Sequence, residues 1–179
     1  MSTSSPEAAV ATQGKRPPTD AVVVYPSATL RPVPSFTIAV PQGWVVDEAP
    51  DAIGVLRTPE EVDGFWVNLL ITADRIDRRL KLAHAASISL EQILAQSPDA
   101  KVLHDRLATD AGMSTYLRIM ELTSPAGTPL VQVQGLVAAP AEDGAKTRDL
   151  FQLMGTCPAG RVKQFGPVLV RAIASFKLV

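Results

Sequence analysis

From residue 36 onward, apolar and polar residues alternate over short runs, which is the period of a strand that buries one face. The first run covers residues 36–40 and stops at a Pro-Gln-Gly turn, and the second covers residues 53–57 and stops at Thr-Pro. A third run, residues 65–72, is rich in β-branched and aromatic side chains and predicts a more central strand.

Residues 80–97 change to a spacing of three and four, which places their apolar side chains on one face of a helix. The predicted stripe consists of Leu82, Ala86, Leu90, Ile93 and Ser97. Pro98 ends this helix, because proline has no N–H to continue the hydrogen-bond pattern.

Four strand-like runs follow, at residues 101–109, 113–123, 129–138 and 147–157. The segments between them are short and each ends in glycine, as hairpin loops of three to five residues often do. These runs therefore predict an antiparallel meander.

A second helical stripe closes the chain within residues 161–176 and consists of Phe165, Leu169, Ala172, Ile173 and Phe176. Pro167 lies inside this segment, so the helix either kinks there or begins near Gly166. The order of strands, helix, meander and helix predicts an α+β fold, an αβα sandwich with a central antiparallel β-sheet. We expect the two helices to cover parts of opposite faces of the sheet.

Composition divides the chain into three parts. Residues 1–20 are small, polar and proline-bearing, which predicts a disordered N-terminal tail. Residues 21–35 predict an extended, proline-rich lead-in, because residues before proline favour extended geometry. The remaining residues, 36–179, are enough for a single domain with its own core.

The charge balance narrows the classes of partner. The formal net charge is −1, from 17 basic and 18 acidic side chains, which argues against nucleic acid and anionic membrane surfaces. No apolar run approaches the roughly 18 residues that span a bilayer, and no signal peptide is visible. The chain as written is therefore expected in the cytoplasm, whereas a trimmed form of an exported protein would belong to the cell envelope.

Few residues offer catalytic chemistry. Cys157 is the single cysteine, and the two histidines, His84 and His104, lie in the predicted helix and in a predicted strand. A nucleophilic cysteine needs a neighbouring base and a zinc site needs three or four ligands, and these spacings supply neither. We therefore expect a non-enzymatic protein with no metal and no cofactor, in which Cys157 is a small buried residue.

Alternation in the central strands separates two sheet faces, of which one is uniformly apolar and is expected to form the core. The other, called the mixed face below, combines aromatic, thioether, amide and guanidinium side chains: Trp66, Asn68, Arg118, Met120, Gln132, Gln134, Gln152 and Met154. Such a face suits contact with a peptide or a lipid-like molecule. Alternatively, it packs under the terminal helix with its polar groups at the rim.

A Gly-Trp pair follows the first strand. Gly43 allows the chain to turn sharply, because glycine adopts backbone angles that other residues avoid. Trp44 is then expected to fold back and plug the end of the sheet, where its large apolar area is best buried.

The segments FTIAVPQGW, GFWVNLLIT, SPDAKVL and VLVRAIASFKLV, in this order around the long meander, resemble the PsbP-like (Mog/PsbP/DcrB) superfamily. Within it, the sequence is most similar to the actinobacterial LpqN/LpqT-type lipoproteins, over about residues 36–179. The order of the elements and the helix that ends in Ser175-Phe176 carry the resemblance. Lipid anchoring is not carried over, because the sequence lacks the N-terminal cysteine after an apolar segment that lipoproteins need.

The resemblance implies an αβα sandwich and a binding or accessory role, as in extrinsic photosystem subunits, nuclear-import cofactors, secretion chaperones and cell-envelope lipoproteins. We therefore expect a non-catalytic protein whose partner is another protein. A second class, a carrier, would hold a small apolar or lipid-like ligand between the mixed face and the terminal helix. A carrier needs an enclosed cavity, whereas a protein-binder needs only an exposed patch.

Overall fold

The computed structural model describes residue 26 and residues 31–110 and 113–179. The predicted tail, residues 1–20, and most of the predicted lead-in, residues 21–35, lie outside the described residues. Val33–Val179 form one compact unit, and the fold described below belongs to it.

Nine strands and two α-helices make up this unit in the described residues. The strands are β1 Phe36–Thr37, β2 Val45–Asp47, β3 Gly54–Arg57, β4 Asn68–Asp77, β5 Lys101–Asp110, β6 Met113–Thr123, β7 Pro129–Ala138, β8 Thr147–Pro158 and β9 Lys177–Leu178. The helices are α1 Leu82–Gln96 and α2 Val162–Ala174, the latter preceded by a short 3-10 turn, Ala159–Arg161.

Seven strands form a single antiparallel sheet in the order β2-β3-β4-β8-β7-β6-β5. The four long runs after α1 are β5 to β8, and each pairs with the next, so the predicted meander is confirmed. Gly127 and Gly144 have φ angles of +83° and +75° in the loops that join these strands, a conformation that glycine adopts at no steric cost. The hairpins between β6 and β7 and between β7 and β8 therefore form at the glycines that the sequence indicated.

The two helices lie on opposite faces of the sheet, as predicted, and the protein is an α+β sandwich. The apolar face packs against α2, whose stripe of Phe165, Leu169, Ala172 and Ile173 is fully buried. The mixed face packs against α1 through Leu82, Ala85 and Ala86, which meet Leu136 and Leu150. The alternative that the mixed face lies under the terminal helix is therefore wrong.

The boundaries of α2 settle the question raised by Pro167. The helix begins at Val162 and contains Pro167, so the alternative start near Gly166 is wrong. The loss of one backbone donor is offset by burial of the helix stripe, because most helical stability in proteins comes from packing an amphipathic face.

Two predicted strands differ in extent from their patterns: the first is shorter, and the third begins later and continues to Asp77. The run from residue 36 is a strand only over β1, which pairs with β9 and not with the large sheet. The run from residue 65 joins the sheet only at Asn68, because Phe65 pairs back to Val62 around a tight turn. Asp63 and Gly64 hold positive φ angles of 54° and 74° in this turn. Phe65 and Trp66 consequently lie before β4.

Candidate binding surface on the mixed face

The pairing registers confirm that the central residues of the mixed face share one side of the sheet. Met120 lies opposite Gln132 across β6 and β7. Arg118 lies opposite Gln134, and Gln134 lies opposite Met154 across β7 and β8. Directly opposed residues point to the same face, so the alternation in the sequence placed these five residues on the same side of the sheet correctly.

Three members of this set are buried and cannot contact a partner directly. Arg118, Met120 and Gln134 are 1%, 0% and 0% exposed, respectively. Gln132, Gln152 and Met154 are half-buried, as is Asn68, and Trp66 is exposed. The prediction of one continuous surface over all eight residues therefore does not describe the accessible surface.

The buried polar side chains of the sheet form hydrogen bonds to α1. Arg118 donates from Nη1 to the carbonyl oxygen of Ala86 in α1 at 2.9 Å and to Oε1 of Gln134 at 3.3 Å. Gln134 in turn donates from Nε2 to Oγ of Ser89 in α1 at 2.8 Å. Buried polar groups that find such partners fix one arrangement of two elements, so these residues have a structural role.

This network continues toward the edge of α1. Ser89 Oγ lies 3.2 Å from Oε1 of Gln152 and donates to it. Gln152 donates from Nε2 to Oδ2 of Asp74 at 2.8 Å. Gln152 is thus committed to the same network and is a weak candidate for partner contact.

The charge of Arg118 is compensated on its other side. Its Nη2 donates to Oδ2 of Asp105 at 3.4 Å, and its guanidinium carbon lies 5.3 Å from the centre of the Tyr116 ring. Tyr116 donates its hydroxyl to Oδ1 of Asp105 at 2.5 Å, and this hydrogen bond raises the pKa of the tyrosine. Asp105 is about one-third exposed (34%), so this ion pair reaches the solvent while Arg118 does not.

Beside α1, a smaller part of the mixed face remains accessible, and we call it the Trp66 patch. It consists of Arg57, Trp66, Asn68, Leu70 and Met154, all half-buried or exposed. Arg57 lies opposite Asn68, and Leu70 lies opposite Met154, so the side chains are neighbours across β3, β4 and β8. The helix packs mainly over β6 and β7 and leaves this part uncovered.

Trp66 is 39% exposed, but contacts from Arg57 and Asn68 hold it in place. The guanidinium carbon of Arg57 lies 4.5 Å from the centre of the indole ring, and Asn68 donates from Nδ2 to the Trp66 carbonyl at 2.8 Å. Arg57 also donates to Oδ2 of Asp47 at 2.7 Å, and this hydrogen bond lowers the pKa of that carboxyl. The sequence analysis missed Arg57, because only the pairing register places it beside Trp66.

The cysteine and the two histidines, which are the remaining candidates for catalytic chemistry, lie on three different elements. Cys157 is fully buried in the core beside α2, and burial raises the pKa of its thiol to about 11. His84 and His104 are exposed, on α1 and β5. Within the described residues, no group of three or more His, Cys, Asp or Glu side chains could hold a metal ion. Nor does any helix there have the length and apolar character needed to cross a bilayer.

Solved structures with the same arrangement of elements place the fold among known proteins. LpqN, which is involved in cell envelope biogenesis of Mycobacterium tuberculosis, matches with a TM-score of 0.67 and 14% identity over 82% of this chain and 84% of that chain. The cyanobacterial PsbP of Synechocystis matches with a TM-score of 0.59 and 14% identity, over 80% and 86% of the two chains. The chain has the PsbP-like fold.

A third structure, a protein of unknown function from Pseudomonas aeruginosa, shares the PsbP-like fold with a TM-score of 0.51 and 13% identity, over 73% of this chain and 93% of that one. No family model and no curated protein sequence matches this chain. The TM-scores establish the PsbP-like fold, and at identities this low the function has to be argued from the surface.

Proposed function

We propose that this protein is a non-catalytic accessory protein that binds another protein through the Trp66 patch. The observation that carries the proposal is an exposed tryptophan held rigidly beside an arginine, at a place where α1 leaves the sheet uncovered. Tryptophan and arginine are enriched among the residues that dominate binding energy in protein interfaces.

The geometry of the Trp66 patch favours binding because its central residue is already ordered. The contacts from Arg57 and Asn68 fix the Trp66 ring and backbone, so less side-chain entropy is lost when a partner covers them. Met154 and Leu70 add an apolar floor, and the flexible thioether of Met154 adapts to the shape of a partner. Asp47 neutralises Arg57, so the patch presents an apolar centre with a polar rim.

The carrier alternative is not supported at its expected location. It placed an apolar ligand between the mixed face and the terminal helix, but α2 packs on the opposite face. The space over the buried part of the mixed face is occupied by α1 and by its hydrogen-bond network.

Two settings are compatible with this accessory role. The similarity in fold to LpqN favours a partner in the cell envelope, and a partner inside the cell, such as a client of secretion, is the second setting. Identification of the partner distinguishes them.

Native mass spectrometry of protein purified from its own host tests the proposal. We expect a stoichiometric polypeptide that is retained by the wild type and lost in Trp66→Asp and Met154→Asp. Leu94→Asp is the matched control, because Leu94 is 38% exposed on α1 and Trp66 is 39% exposed.

Circular dichroism and melting temperature establish that each variant remains folded. If Leu94→Asp lost the partner to the same extent as Trp66→Asp and Met154→Asp, the Trp66 patch would not be the binding site. A retained small molecule with no polypeptide would contradict the protein-binding role itself.

A further inference from the structure

A cleft on the opposite side of the sheet is not used by the proposed function. It lies between the loop that follows β1 and helix α2, and its volume is about 530 Å³. Its apolar walls include Val40 and Trp44 on the loop side and Phe165 and Val168 on the helix side. This volume is in the range of about 300–1,000 Å³ that is usual for sites of small molecules.

The walls of this cleft are fixed by contacts within the fold. Ala39 donates its backbone N–H to Oγ of Ser175, just after α2, at 2.8 Å. Trp44 donates its backbone N–H to the carbonyl of Pro41 at 3.0 Å, which closes the turn that contains Gly43. One side of Trp44 packs against the hydrophobic core while the residue lines the cleft, so the cleft exists before any ligand arrives.

Within the described residues, the polar groups at the rim have no hydrogen-bond partner and no acidic neighbour in the cleft. The side chains of Gln42, Gln164 and Arg171 form no hydrogen bond or ion pair with the part of the chain that the structure describes. Among the residues that the structure describes, no Asp or Glu lines the cleft, and α2 contains none. The rim therefore presents one guanidinium and two amides, which complement a single anionic group.

We propose that this cleft binds a small amphipathic carboxylate, with the carboxylate on Arg171 and the apolar group against Trp44, Phe165 and Val168. A guanidinium matches the two oxygens of a carboxylate, and the amides of Gln42 and Gln164 supply further donors. An aliphatic chain or an aromatic ring fits the apolar walls. The cleft and the Trp66 patch lie on different faces of the sheet, so the two proposals succeed or fail separately.

Decanoate is a suitable probe, and Trp44 is a built-in reporter. The chain has two tryptophans, so a Trp66→Phe background leaves Trp44 as the sole indole fluorophore. We expect a saturable change in Trp44 fluorescence on titration with decanoate below its micelle concentration. Decanol, which has the same chain without the charge, should bind at least about 10-fold more weakly.

Arg171→Gln, with Lys163→Gln as its matched control, tests the role of the cation. Both residues are exposed on α2, both changes remove one positive charge, and only Arg171 lines the cleft. We expect Arg171→Gln to weaken decanoate binding about 10- to 100-fold and decanol binding less than about two-fold. Lys163→Gln should leave both within about two-fold.

Three results would overturn the proposal. One is the absence of a saturable Trp44 signal up to about 5 mM decanoate, where even a weak specific site is filled. Another is equal weakening by Arg171→Gln and Lys163→Gln, which would indicate non-specific attraction to a basic helix. The third is equal affinity for decanoate and decanol, which would indicate that the carboxylate is not recognised.

Discussion

Substitution of Gly155 by alanine probes how closely α2 approaches the sheet. Gly155 lies in β8 directly beneath Leu169 of the helix. A Cβ atom at this position would lie 2.7 Å from Cδ2 of Leu169 and 3.2 Å from its Cβ and Cγ. Because Cβ and Cγ lie close to the helix backbone and Leu169 is 0% exposed, rotation of the leucine alone cannot relieve the overlap.

The expected cost follows from two opposing effects. Insertion of one methyl group into a tightly packed core costs about 1–3 kcal/mol. Replacement of glycine by alanine also restricts the unfolded chain, which returns about 0.4–1 kcal/mol where the backbone is compatible. We therefore expect Gly155→Ala to lower the free energy of unfolding by about 1–2 kcal/mol, which corresponds to about 2–8 °C in melting temperature.

Urea denaturation followed by circular dichroism measures this change, and an unchanged m-value would show that the unfolded state is the same. Gly54→Ala in β3 is the matched control, because the nearest atom to its added Cβ is the Asp47 carbonyl oxygen at 3.7 Å, an ordinary contact. We expect that variant to be as stable as the wild type or slightly more stable.

A double variant links the effect to the helix. Leu169→Ala alone should cost about 2–5 kcal/mol, because it leaves a cavity in the core. Gly155→Ala combined with Leu169→Ala should cost less than the sum of the single changes, since the new methyl group enters that cavity. The reasoning fails if Gly155→Ala is as stable as Gly54→Ala, or if the two changes at 155 and 169 are additive.

Four further predictions concern three buried or half-buried residues. Arg118→Met should lower the free energy of unfolding by about 2–3 kcal/mol, because it removes the hydrogen bonds to Ala86 and Asp105; a urea midpoint equal to that of the wild type would contradict this. Trp44→Ala should cost about 1–2 kcal/mol by the same assay, less than the 3–5 kcal/mol of a fully buried tryptophan, because Trp44 is only half-buried. Cys157 should react with a thiol reagent only after unfolding, and labelling of the native protein within seconds would refute its burial. Because the folded thiol has a pKa of about 11 and the unfolded thiol about 9, stability should fall as pH rises above 9, and less so in Cys157→Ala.

Residue spacing was sufficient to locate the two helices and the four strands of the meander. The predicted helix at residues 80–97 is observed as Leu82–Gln96, and the meander strands agree with their predicted runs to within about a residue. These elements are long enough for the spacing of their apolar residues to show clearly despite irregular ends. Their loops also contain glycines that suit tight turns. The uniformly apolar face was also predicted correctly, because strict alternation assigns each residue of a long strand to one side.

The short strand at residue 36 and the buried side of α1 were predicted less well, whereas the predicted stripe of α2 is buried. The run from residue 36 follows the period of a strand, yet only Phe36–Thr37 pairs, because its partner is the last two-residue strand of the chain. In α1, Leu82 and Ala86 are buried as predicted, but Ala85 and Ser89 are buried as well, whereas Leu90 and Ile93 are only half-buried. Small residues allow close approach to the polar network beneath the helix, and that network depends on residues in distant strands.

The sequence by itself determined the α+β class, the order of the elements, and which residues of the mixed face share one side of the sheet. Only the tertiary structure decided that α1 covers Arg118, Met120 and Gln134 and leaves Trp66 and Met154 accessible. It also decided that Arg57 stacks on Trp66 and that Trp44 meets α2 across a cleft. Alternation is a local property of one strand. Whether a helix covers a side chain, and which side chains touch, depends on strand register and on the position of the helix. Both are set by packing between segments far apart in the chain.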